Sequence, residues 1–165
     1  MSATQATRSI QESITDFLPL QGTDYVELYV GNAKQAANYY VHAFGFEPLA
    51  YAGPETGMKD RASYVVRQNK LTFMLTTPLR AGNEMADHVY KHGDGVKVLA
   101  LRVEDARSAW EETTRRGGIS YMEPHEMKDD DGVVVMSGIR TYGDVVHLFI
   151  ERKDYRGVFM PGFRD

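Results

Sequence analysis

The sequence predicts an α+β fold in which two paired βαβββ modules form a curved, partly open mixed sheet around a cup, with the helices outside. Three observations carry this expectation. The stretch Asp24–Phe46, DYVELYVGNAKQAANYYVHAFGF, alternates as a strand and then switches to helical spacing without interruption. Sliding the chain by 73 residues lays Val103-Glu104-Asp105-Ala106 on Val30-Gly31-Asn32-Ala33, Ala109-Trp110 on Ala36-Ala37, and Gly118 on Gly45. After each helix come three further strand-like runs. One such unit alone leaves a sheet face bare, so two copies are expected to pair around a shared concavity.

Taken in order, residues 1–16 are polar and mixed and are expected to form a flexible terminus. Ile14, Phe17, Leu18 and Leu20 around Pro19 make an apolar lead-in. Val26, Leu28 and Val30 share one face of the first strand, and Tyr25, Glu27 and Tyr29 share the other. Asn32 then serves as helix N-cap, because its side-chain oxygen can accept from the free N–H groups of the first turn. Ala33, Ala36, Ala37, Tyr40, Val41 and Phe44 recur at helical spacing, which predicts one buried stripe closed by Gly45 as a left-handed C-cap. Glu47–Tyr51 continues as a strand into the breaker GPETG, Gly53–Gly57. Ala62–Arg67 and Leu71–Thr76 read as a hairpin turning at Gln68, Asn69 and Lys70. A short helix, Glu84–His92, is closed by Gly93. The second module brings a strand at Val96–Val103 and a helix with the stripe Ala106, Ala109, Trp110 and Thr113. Strands follow at Ile119–Met127, Val133–Arg140 and Val145–Ile150, with turns at DDDG and YGD. The expected organisation is one domain over 17–165, made of module 1 at about 23–78, a helical link at 83–93 and module 2 at about 95–152.

Composition narrows the function classes. A chain of 165 residues with 42% apolar content can bury a core. Its net charge of −4 and pI near 5.7 argue against a nucleic-acid partner, since neutralising phosphates requires a basic surface. The absence of cysteine excludes disulfides, thiolate nucleophiles and Cys-based zinc sites, and suits a reducing cytoplasm. The first sixteen residues hold no apolar run of signal-peptide length, and nowhere do about 18 apolar residues run together, so neither secretion nor a membrane span is expected.

Several strings agree in order and spacing with one family. TDYVELYVGNAKQAANYYVHAFGF, YAGPETGMKDRASYVV, ADHVYKHGDGV, MKDDDGVVVMSGIRTYGDVVHLFIERKDY and the ending GVFMPGF resemble the N-terminal domain of the 4-hydroxyphenylpyruvate dioxygenase family, within the vicinal oxygen chelate superfamily. The resemblance runs from about Phe17 to the C-terminus, and hydroxymandelate synthase shares the same architecture. It implies a non-haem Fe(II), O₂-dependent oxidoreductase of tyrosine breakdown that makes homogentisate. It also implies that the iron is held by two His and one Glu of a C-terminal domain, the partner of this one. The stretch read here would then supply scaffold and subunit contacts in a homo-oligomer and be inactive alone. A metal-free binding module using the cup for an aromatic ligand is the alternative.

At the cup positions the internal symmetry offers Tyr25, Val98 and Leu148, with Leu75 as the first-module counterpart of Leu148, and Glu27 and Tyr29 share the face of Tyr25. Converging imidazoles and carboxylates are missing from that set, so no residue of this chain is assigned a catalytic, cofactor-binding or metal-ligating role. Glu27 is expected to be a hydrogen-bonded structural carboxylate, capped by the tyrosines or by Lys97. His88 and His92 stand at i and i+4, a spacing that two metal ligands can use, but a helix C-terminus also favours histidine. His147 alternates away from Leu148 and is expected to face the helix layer or a neighbouring sheet. Glu126, Asp129, Asp130 and Asp131 read as a solvated hairpin turn rather than a calcium loop. No serine sits in a Gly-x-Ser-x-Gly elbow, GPETG lacks the Lys-Ser/Thr of a phosphate loop, and Trp110 fits the helix stripe.

Overall fold

A computed structural model describes residues 16–165. The expectations for residues 1–15, Ile14 included, lie outside the described residues. The elements are β1 (Leu20–Tyr29), α1 (Ala33–Phe44), β2 (Glu47–Ala52), β3 (Arg61–Gln68), β4 (Leu71–Pro78), α2 (Glu84–His92), β5 (Gly95–Val103), α3 (Ala106–Arg115), β6 (Ile119–Asp129), β7 (Gly132–Arg140) and β8 (Val146–Glu151). The strands join one sheet in the order β2-β3-β4-β1-β5-β8-β7-β6. From the central antiparallel pair β1–β5 each half runs outward in the same sense. Each half begins with a parallel neighbour, β1–β4 or β5–β8, and continues with antiparallel hairpins. This is the duplicated α+β architecture that the repeat predicts, with the sheet left open.

Local chemistry sets the element ends. Asn32 Oδ1 accepts from Gln35 N at 3.0 Å, and Asp105 Oδ1 accepts from Arg107 N and Ser108 N at 2.9 Å each, so the two caps aligned by the repeat do the same work. Gly45 closes α1 at φ 72°, a left-handed conformation that costs glycine no Cβ clash. Asn83 caps α2 through Ala86 N at 2.8 Å.

Three apolar clusters result. Val30, Ala33, Ala37, Phe46, Val66 and Leu75 pack between α1 and the sheet, and Val103, Ala106, Ala109 and Phe149 pack under α3. The largest cluster fills the concave face and includes Tyr25, Val65, Met74, Val98, Leu148 and Ile150.

Leu75 corrects the reading of the cup. Along β1–β4 it is Met74 that stands opposite Glu27, whereas Leu75 stands opposite Leu28 and lies under α1. In β5–β8, Leu148 stands opposite Ala100, and both face the concavity. The last strand of the second half therefore runs one residue out of the 73-residue frame, and one residue is enough to turn a strand side chain to the other face. The true counterpart of Leu148 is Met74. Leu148 also needs Gly138 across from it, because a Cβ there would fall 2.5 Å from Leu148 Cδ2 and 2.9 Å from His147 O.

Phe44 departs from its predicted stripe as well. It is 55% exposed and lies edge-on against Tyr39 at 5.5 Å. Trp110 is half-buried, with Nε1 donating to Ser120 Oγ at 3.0 Å.

Candidate functional site

The cup has two unlike ends along β1. Near its start, Tyr25 is buried and meets Phe159 edge-on at 5.4 Å. Phe159, Met160 and Tyr155 belong to the segment after β8 and are themselves buried in the concave cluster. This end of the concavity is thus filled by the chain's own side chains. An ion cluster around the buried Asp24 ties the segment down. Arg152 donates to Asp24 through Nε at 2.9 Å and Nη2 at 2.6 Å, Arg102 Nε reaches the same carboxylate at 2.9 Å, and a further Arg152 nitrogen donates to Phe159 O. The Asp24 side chain is 1% exposed, so an aspartate placed there requires such cations.

Toward the end of β1 the concave face turns polar. Glu27 is buried, and its Oε1 accepts from Thr76 Oγ1 at 2.7 Å. Thr76 in turn shares a 2.9 Å bond with Ser63 Oγ. Burial pushes the Glu27 carboxyl up to about 7, against the Thr76 bond and the positive charges of Arg61 and Lys97, which favour the ionised form. Tyr29 is raised well above the usual phenol range, mainly by burial and then by the Glu27 charge.

Lys97 sits where the β1–β5 register slips between Val98 and Val96. Its ammonium is buried, donating to Asp144 O at 2.9 Å and to Glu84 Oε1 at 3.2 Å. The cap on Glu27 is therefore Thr76, and Lys97 acts on it only through its charge.

The remaining candidates are engaged elsewhere. His88 lies edge-on to Tyr29 at 5.4 Å, and burial beside Lys97 lowers its pKa. His92 Nε2 is 2.7 Å from Asp144 Oδ2, which also pairs with Lys91 Nζ at 2.6 Å; Lys91 and His92 hold that carboxyl well below its ordinary range. His147 stands between Leu99 and Ile139 on the helix side of the sheet, with Nδ1 buried and, among the described residues, without a hydrogen-bond partner. Glu126 pairs with Arg107 at 2.9 Å and Lys128 at 2.7 Å, and Asp129 Oδ1 accepts from Asp131 N within the turn. Among the described residues no group of three or more His, Cys, Asp or Glu is arranged to hold a metal ion, and no helix is long and apolar enough to cross a membrane.

An iron site can be tested on this donor set. The cup positions Tyr25, Glu27, Met74, Val98 and Leu148 bring one carboxylate, already hydrogen-bonded to Thr76, and no imidazole. Fe(II) held by two histidines and a carboxylate does not fit these residues. Sequence reasoning missed Thr76, Ser63 and the filling segment Tyr155–Met160. The first two are reachable only through cross-strand register, and the third lacks any periodic signal.

The Glyoxalase/Bleomycin resistance protein/Dioxygenase superfamily model matches residues 22–146. A 4-hydroxyphenylpyruvate dioxygenase of Dictyostelium discoideum is 44% identical over 146 residues, covering 87% of this chain and 40% of that protein. The Xenopus tropicalis enzyme of the same name is 43% identical over 86% of this chain and 36% of its own length. This chain thus spans about two fifths of the curated relatives it matches. Among solved structures, a mutant 4-hydroxymandelate synthase from Streptomyces coelicolor superposes with a TM-score of 0.78 at 29% identity, over 88% of this chain and 40% of that one. Methylmalonyl-CoA epimerase from Mycobacterium tuberculosis matches with a TM-score of 0.67 at 17% identity, which is likeness of fold alone.

Proposed function

The chain belongs to the Glyoxalase/Bleomycin resistance protein/Dioxygenase superfamily, and from that premise we propose that it is the N-terminal domain of a 4-hydroxyphenylpyruvate dioxygenase. That enzyme uses Fe(II) and O₂ to convert 4-hydroxyphenylpyruvate to homogentisate in tyrosine catabolism. One observation carries the reading: relatives of that name are 43–44% identical across nearly all of this chain, while the chain accounts for about two fifths of their length. The iron chemistry then belongs to a C-terminal domain of the same protein, which supplies the two histidines and the carboxylate that the cup here does not offer.

In this reading residues 17–165 act as one scaffold domain, with interdomain and homo-oligomer contacts, in a cytoplasmic enzyme. Tyr25, Glu27, Tyr29, Val98 and Leu148 serve packing and shape. The alternative of a free-standing aromatic-ligand module loses ground, because Phe159 and Met160 occupy the concavity that such a ligand would need. Hydroxymandelate synthase remains the second family reading, supported by the superposition at TM-score 0.78.

The test is direct. The gene is followed past Asp165, its full product is loaded anaerobically with Fe(II), and homogentisate release from 4-hydroxyphenylpyruvate is measured beside that of the 165-residue chain. Turnover by the longer product only is the expected result. Release of hydroxymandelate by the longer product moves the assignment to the synthase, and homogentisate from the 165 residues alone overturns the scaffold role.

A further inference from the structure

Beyond the filled cup, the C-terminal segment reaches the open edge of the sheet. Among the described residues β2 is an edge strand, and edges of this kind invite a further strand. Tyr51 N donates to Arg164 O at 2.7 Å, and Arg164 N donates to Tyr51 O at 3.0 Å. Two residues that exchange both bonds form the narrow pair of an antiparallel ladder. The segment is anchored there, with the Arg164 guanidinium 5.6 Å from the Tyr51 ring centre and Phe163 edge-on to Phe159 at 5.0 Å. Antiparallel to β2, the backbone past Arg164 is aimed along Ala50, Leu49 and Pro48.

Beside this edge runs an apolar groove of about 690 Å³ between α1 and the β2–β3 hairpin. Ala37, Val41, Leu49, Tyr64 and Val66 line it, and Asp165 lies at its mouth. A groove of this size and apolarity, flanking an edge that among the described residues is paired at Tyr51, matches strand addition, in which main-chain bonds to the edge bring side chains over an adjoining pocket.

We propose that the polypeptide following Arg164 continues as a ninth strand along β2 and covers the groove between α1 and β2–β3, fixing the remainder of the longer protein to this domain. The inference rests on the reading of this chain as the front of a longer dioxygenase. Its occupant is covalently continuous with the bridge already formed at Tyr51, so it needs no separate recognition step and meets the edge at high effective concentration.

The chain contains no cysteine, which gives a clean probe. Val41→Cys and Leu49→Cys report on the groove, and Tyr90→Cys, at a side chain 94% exposed on α2, is the control. Maleimide labelling is followed at peptide level in the 165-residue chain and in the full gene product. The groove positions should label about tenfold more slowly in the longer protein, since reaction then requires local opening, while the control labels equally in both. A longer protein that turns over 4-hydroxyphenylpyruvate yet labels at the groove as fast as the 165-residue chain overturns the inference and leaves the dioxygenase reading standing. A gene that stops at Asp165 overturns both, and a longer product with a protected groove but no turnover supports the docking while removing the activity.

Discussion

The two ends of the concave face solve the same problem in opposite ways. At the Tyr25 end the space is closed by Phe159, Met160 and Tyr155, and the one carboxylate there, Asp24, is neutralised by Arg152 and Arg102. At the Glu27 end a carboxylate of similar burial receives a hydroxyl bond from Thr76 and only longer-range positive charge. Asp24 meets two guanidinium groups directly, whereas burial raises the pKa of Glu27 to about 7 and the single Thr76 hydroxyl opposes that shift only in part. Among the described residues neither end brings two imidazoles and a carboxylate together. The concave face is thus held by packing and ion pairs at one end and by hydroxyl bonds at the other.

The largest effect should come from breaking the charged end. Asp24→Ala strands Arg152 beside an apolar cluster, and denaturant unfolding should show a loss of about 3–5 kcal/mol. A loss below about 1 kcal/mol would show that the ion cluster is surface-like and that the contrast drawn with Glu27 is unfounded. Phe159→Ala tests the same end through packing. It should cost about 3 kcal/mol, near the lower bound for a buried phenylalanine because the segment after β8 can partly collapse into the void.

The polar end should betray itself through pH. Glu27 has a folded pKa near 7 against an unfolded value of 4.5. A raised acid contributes stability that is complete below the unfolded pKa and is lost as pH rises through the folded one. Glu27→Gln should therefore gain on the parent between pH 4.5 and 7, by about 3 kcal/mol in all, and then run parallel to it. If the difference between the two proteins stays flat from pH 4 to 8, the carboxyl titrates in the folded protein as it does in the unfolded one, and burial does not set the polar end apart.

How much of this was legible beforehand follows from the range of each interaction. The caps at Asn32 and Asp105, the left-handed Gly45 and the period-2 runs depend on residues a few positions apart, so the strand and helix order could be written from the chain. Leu75 was misplaced because the repeat was aligned on helices, and a single residue gained before β8 reverses a strand face without disturbing a helix stripe. Phe44 keeps the spacing of a buried residue, but its ring meets Tyr39 and Tyr40 on the exposed side of α1, and what covers a helix face is a tertiary fact. Thr76 lies 49 positions from Glu27 and meets it through the β1–β4 pairing, which no local pattern encodes. The filling of the cup by Phe159 and Met160 was hidden for a related reason: their segment has no regular period from which a buried face could be read.

The smallest expected effect sharpens the comparison furthest. Thr76→Val keeps the volume of a fully buried side chain and removes only its hydroxyl, along with the bonds to Glu27 and Ser63. The Thr76 bond favours the ionised form of Glu27, so its loss should raise that pKa further. The cost should then depend on pH: about 1–2 kcal/mol at pH 8, where a buried carboxylate loses its donor, and less at pH 5, where the acid is neutral. Combined with Glu27→Gln, the pH dependence of the Thr76→Val cost should disappear, because the charge that the hydroxyl served is gone. A pH-independent cost in the Glu27 parent would instead assign the hydroxyl to Ser63, and Glu27 would then be governed by Arg61 and Lys97, bringing the polar end closer in kind to the ion-paired one.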